Sequence, residues 1–77
     1  MPEYKALAEY VKTVRKKKSE SQEKFAEHCG LSKEFISLIE REEANPRLES
    51  VQKIAAYTGD TVADILKIKK ETYNDEY

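Results

Sequence analysis

Five side chains near the middle of the chain make the most chemically varied set in the sequence: Lys33, Glu34, Ser37, Leu38 and Arg41. If residues 33–41 are helical, steps of about 100° per residue place them on one arc, with Phe35, Ile36 and Ile39 on the opposite arc. The outward set offers two cations that donate, a carboxylate that accepts, a hydroxyl that does either, and one isobutyl group. That assortment suits a partner surface on which donors, acceptors and methyl groups follow one another closely. It does not suit bond-breaking. The sequence pairs no nucleophile with a base and has no phosphate-cradling glycine loop. Cys29 is the single cysteine, expected in an apolar core slot. His28 is expected to face outward, with no carboxylate or cysteine partner at ligand spacing. The reading is therefore a non-enzyme with no metal, no cofactor and no small-molecule substrate.

The elements that must hold this arc are helices. Apolar residues recur at helical spacing along the chain and nowhere alternate as in a strand. A first helix is predicted over about Glu3 to Lys17, with Leu7, Val11 and Val14 on one stripe and "RKKK" at its negative end. A second runs from about Gln22 to Cys29, capped by Ser21 and stopped by Gly30. A third runs from about Lys33 to Arg41, with Ser32 as cap. After "EEANP", a fourth covers about Leu48 to Thr58, with Leu48, Val51, Ile54 and Ala55 inward and Gly59 as its stop. A fifth starts near Val62, where Thr61 and Asp64 have the spacing of a capping box. The expectation is an all-α, compact five-helix bundle forming one domain over residues 1–68, with residues 69–77 as a polar tail.

With 77 residues the chain is a single marginal domain, and one cysteine gives it no internal disulfide. No apolar run is long enough to span a membrane, and the acid-bearing N-terminus lacks a signal core. A cytoplasmic location is expected. The net charge of -1 hides an asymmetry. Residues 1–18 carry six Lys/Arg against two Glu, +4; residues 19–66 carry five against ten, -5; residues 67–77 balance at three against three. A nonspecific polyanion binder is excluded, so any nucleic-acid contact must be local and geometric.

The second and third helices, joined at Gly30, read as a helix-turn-helix. Ala26 is small enough for close approach, Gly30 takes the turn, and Phe25, Cys29, Leu31, Ile36 and Ile39 pin both helices to one core. Here the sequence resembles the Xre-type helix-turn-helix family, the phage Cro and repressor group, with a lambda-repressor-like DNA-binding domain. The resemblance rests on "LAEYVKTVR", "SQEKFAEHCGLSKEFISLIE" and "NPRLESVQKIAAYTGDTVADIL" and covers residues 7–66. It implies a sequence-specific transcriptional regulator, commonly a repressor, that places the third helix in the major groove of double-stranded DNA. Base contacts would come from Lys33 to guanine, Glu34 to cytosine N4, Leu38 to a thymine methyl, and Ser37. Phosphate contacts would come from Gln22, used that way in the family, and from Ser32, Arg41 and the run Lys16, Lys17 and Lys18. The resemblance also implies an ion pair between Arg15 and Glu40.

Some residues depart from the family pattern. Glu42 and Ser19 stand where glycine is usual, Glu20 where an apolar residue is usual, and Arg47 where a serine cap is frequent. Glu42 and Glu43 also put negative charge beside the expected phosphates. A homodimer on a palindromic site would offset weak monomer binding, and Ile68, flanked by Tyr57 and Tyr73, is its expected contact through helices four and five. The alternative is an antitoxin-like or protein-interaction module on the same fold, with a protein partner.

Overall fold

The computed structural model describes residues 2–67, and every structural statement below refers to them. The elements are α1 (Pro2–Lys17), α2 (Gln22–Cys29), α3 (Lys33–Glu40), α4 (Leu48–Thr58) and α5 (Val62–Leu66), with no strand among the described residues. Ile68, Tyr73 and the tail lie outside them.

Local chemistry sets the boundaries. The hydroxyls of Ser21, Ser32 and Thr61 accept from the backbone N–H of Lys24, Phe35 and Asp64 at 3.1, 3.1 and 3.0 Å. Each caps an N–H that the first helical turn leaves without a partner. At the other end of α2, Gly30 is left-handed at φ 76°, so the Leu31 N–H reaches back to the Ala26 carbonyl at 2.9 Å. The chain can then start α3 within three residues. Ser19 and Glu42 make the same closure with a Cβ in place, at φ 56° and 60°. After α1, the Ser19 and Glu20 N–H groups donate to the Lys16 and Arg15 carbonyls. After α3, those of Glu42 and Glu43 donate to Ile39 and Leu38. Arg41 therefore ends α3 as its C-cap, and the helix does not run past Glu42.

Leu7 and Val11 from α1, Phe25, Ala26 and Cys29 from α2, Ile36 and Ile39 from α3, Val51 and Ile54 from α4 and Ile65 from α5 share one core. Two hydroxyls tie α1 across the bundle: Tyr10 donates to Asp60 at 2.6 Å and Tyr4 to Asn45. Leu48, expected inward, is instead 61% exposed. It is the first residue of α4, and helical side chains lean toward the N-terminus, so its isobutyl group overhangs the end of the core. Phe35 and Ala55 are only half-buried.

Candidate nucleic-acid interface

α3 is fixed from one side and open on the other. Ile36 and Ile39 are buried, and Lys33, Glu34 and Arg41 are exposed. Ser37 and Leu38 are half-buried, with Leu38 resting on the edge of the core. The five residues singled out from the sequence line one shallow surface groove of about 240 Å³. A larger open groove of about 670 Å³ runs between α2 and the start of α3, lined by Ser21, Lys24, Ser32 and Lys33 and also by the carboxylates of Glu23, Glu27 and Glu34. Ser21 and Ser32 use an oxygen lone pair for capping, which leaves each hydroxyl proton free to donate outward.

The C-terminal end of α3 is held by charge. Glu40, 7% exposed, accepts from Arg15 Nε at 2.7 Å and Arg15 Nη2 at 3.1 Å. Arg15 also donates through Nη1 to the Glu20 carbonyl at 3.0 Å, so one guanidinium joins α1, the 18–21 connection and α3. Gln22 adds a third donor: its Nε2 lies 3.1 Å from Glu40 Oε1. Burial alone would raise the Glu40 carboxyl, but hydrogen bonds from Arg15 and Gln22 and the charges of Arg15 and Lys12 outweigh it and hold it below its usual range. The hydrogen bond to Glu40 raises Arg15 in turn. The Gln22–Glu40 bond had no sequence signal, because the resemblance points Gln22 only outward.

A second polar cluster sits on the other side of α2. Glu20, with 12% of its side chain exposed, accepts from the Tyr57 hydroxyl at 2.6 Å. His28 Nδ1 lies 2.8 Å from the same carboxylate oxygen and 3.0 Å from the Tyr57 hydroxyl. His28 is exposed, and the fold brings the Glu20 carboxylate to it from eight positions away, a polar contact that reasoning about metal-ligand spacing does not address. The Tyr57 ring meets Phe25 edge-on at 5.6 Å between centroids, and the Lys18 ammonium lies 5.0 Å above its centre. Glu20 fits a usually apolar position because Tyr57 gives it a donor. That bond is also the main reason Glu20 is held low and Tyr57 is pushed up to about 12. Tyr57 thus spends its hydroxyl inside the domain. Lys18 leans on α4, while Lys16 and Lys17 are exposed at the end of α1. Burial pushes the Cys29 thiol up to about 11, which makes it an unreactive core residue.

No group of three or more His, Cys, Asp or Glu side chains able to hold a metal occurs among the described residues. No helix among them is long and apolar enough to cross a membrane.

Residues 11–64 match the family model described as helix-turn-helix. Two proteins described as HTH-type transcriptional regulator SinR, from Bacillus licheniformis and Bacillus subtilis (strain 168), are each 33% identical to the chain over 70 residues. Each match covers 90% of this chain and 63% of the regulator, so the chain spans just under two-thirds of their length. A hypothetical transcription factor of Neisseria meningitidis serogroup B is 38% identical over 53 residues, 69% of this chain and 50% of that protein. The crystal structure of the hypothetical transcription factor NHTF from Neisseria superposes with a TM-score of 0.78 at 32% identity, covering 84% of this chain and 73% of that one.

Proposed function

This chain belongs to the Xre-type helix-turn-helix family, and from that premise we propose that it is a sequence-specific DNA-binding transcriptional regulator, acting as a repressor. The observation that carries the reading is the two-sidedness of α3. Its apolar side and Glu40 are locked into the domain, while Lys33, Glu34, Ser37, Leu38 and Arg41 line one open groove. In this reading α3 lies in the major groove. Lys33 donates to guanine, Glu34 accepts from cytosine N4, Leu38 meets a thymine methyl and Ser37 bonds a neighbouring base, each good pair contributing about 1–3 kcal/mol of discrimination. Gln22, Ser32, Arg41, Lys16 and Lys17 position the domain on phosphates, with Lys18 joining them by leaving the Tyr57 ring. Two copies spaced by one helical turn, about 34 Å, would bind a palindromic site.

The test is selection from a randomised duplex pool with the purified protein at low and moderate salt. A palindromic motif supports the reading. The exposed Glu42 and Glu43 at the end of α3 favour a second one, a module that binds a protein partner through the same fold. Under it, the pool yields no motif, and Lys33→Ala and Gln22→Ala behave like the parent.

A further inference from the structure

Gln22 stands between the buried carboxylate and the surface where the proposed duplex lies. An ionised carboxylate has acceptors only, so Glu40 dictates which end of the Gln22 amide faces it: nitrogen inward, as found at 3.1 Å. Glu40 is itself fixed by two bonds from Arg15 and is almost fully buried. Gln22 is half-buried at the start of α2, so it is not sealed inside the domain as Glu40 is. An amide nitrogen carries two hydrogens. One is taken by Glu40; the other has no acceptor among the described residues, and Gln22 itself is the first residue of α2. There the Gln22 and Glu23 backbone N–H groups have no acceptor among the described residues.

We propose that Glu40 is a positioning residue for DNA binding: it holds the Gln22 amide with its second N–H outward, toward a backbone phosphate. This rests on the regulator reading and deepens it. The same carboxylate ends the reading helix, so a phosphate caught at the start of α2 is linked through two hydrogen bonds to the register of α3. A glutamine without this partner would present either its oxygen, which repels phosphate, or its nitrogen. Glu40 removes that choice before the duplex arrives.

The experiment is a double-mutant cycle on binding to the duplex enriched from the pool, with thermal melts of every variant alongside. Gln22→Met keeps the side-chain length and removes the donor; it should weaken binding about tenfold, equivalent to about 1.4 kcal/mol, with little change in melting. Glu40→Gln keeps the shape but drops the charge. It should weaken binding several-fold with Gln22 present and by no further factor once Gln22 is Met. Gln22→Asn leaves Glu40 and its pair with Arg15 intact but is one methylene too short to span both partners, so it should bind like Gln22→Met. Replacing the phosphate that faces α2 with a neutral methylphosphonate should abolish the difference between parent and Gln22→Met. Losses from Glu40→Gln that are equal with and without Gln22 would overturn the coupling alone. A parent protein that enriches no DNA would overturn the regulator reading and the coupling together.

Discussion

Glu42 is held at φ 60° where the family resemblance leads one to expect glycine, and this makes a quantitative prediction. A residue with Cβ loses about 1–2 kcal/mol in the left-handed region. Replacing it by glycine recovers that strain but returns about 0.4–1 kcal/mol through the greater freedom of the unfolded chain. The native hydrogen bonds that need this conformation, from Glu42 to Ile39 at 3.0 Å and from Glu43 to Leu38 at 2.8 Å, use only backbone and survive the change. Glu42→Gly should therefore stabilise by about 0.8 kcal/mol, the middle of a span of about 0–1.6, which for a domain this small raises the melting midpoint by roughly 3–6 °C. Thermal unfolding followed by circular dichroism measures it. Glu42→Ala separates strain from charge, because it removes the carboxylate and keeps Cβ, and it should give no such gain. Ser19→Gly, at φ 56° after α1, should behave like Glu42→Gly, and the two should add because they close different helices. A fall in the midpoint for Glu42→Gly, or an equal rise for Glu42→Ala, would refute the strain argument.

Other consequences can be checked on the same purified protein. Glu40→Ala should lower the midpoint far more than Glu43→Ala. It strands Arg15, which is 21% exposed, at about 3 kcal/mol, the low end for breaking a buried pair, whereas Glu43 is a surface residue. Glu40 and Glu20 are both held below the usual carboxylate range, so the unfolded chain takes up their protons first as pH falls. Their contribution is complete above the unfolded carboxylate value and is lost as pH drops through the folded ones, so melts should show steep acid destabilisation. Tyr57→Phe should lower the midpoint at neutral pH and make that acid loss shallower, since it removes the main donor holding Glu20 down. Gly30→Ala should cost somewhat under the full strain of about 1–2 kcal/mol, because the stiffer unfolded chain returns about 0.4–1 kcal/mol and a Cβ there meets nothing within 4 Å.

Much of the frame was readable because it is local. Ser21 and Gly30 bracket α2, and Gly59 ends α4, by chemistry within a few residues of each boundary, whereas α4 starts at Leu48 after Arg47, which makes no side-chain capping bond. The outward arc of α3 follows from periodicity alone, and its residues do line one groove. Arg15 and Glu40 came from family resemblance, and the pair forms at 2.7 Å. What periodicity could not reach was the long-range polar chemistry. Tyr57 and Glu20 are 37 positions apart, Gln22 and Glu40 18, and no spacing rule connects them. Leu48 was misplaced because helical phase says which way a residue points but not where the core ends. The expected self-association through Ile68 and Tyr73 falls outside the described residues, and its third member, Tyr57, is committed to Glu20 within its own domain.

The proposed function stands or falls on whether the wet face of α3 reads base edges. The most direct measurement repeats the duplex selection with Lys33→Ala beside the parent and beside Lys53→Ala, an exposed lysine on α4. Lys33→Ala is expected to lose its preference at one base position in each half-site, at a loss of about 1–3 kcal/mol, while Lys53→Ala enriches the parental motif. An unchanged motif for Lys33→Ala, or the same change for Lys53→Ala, would contradict it.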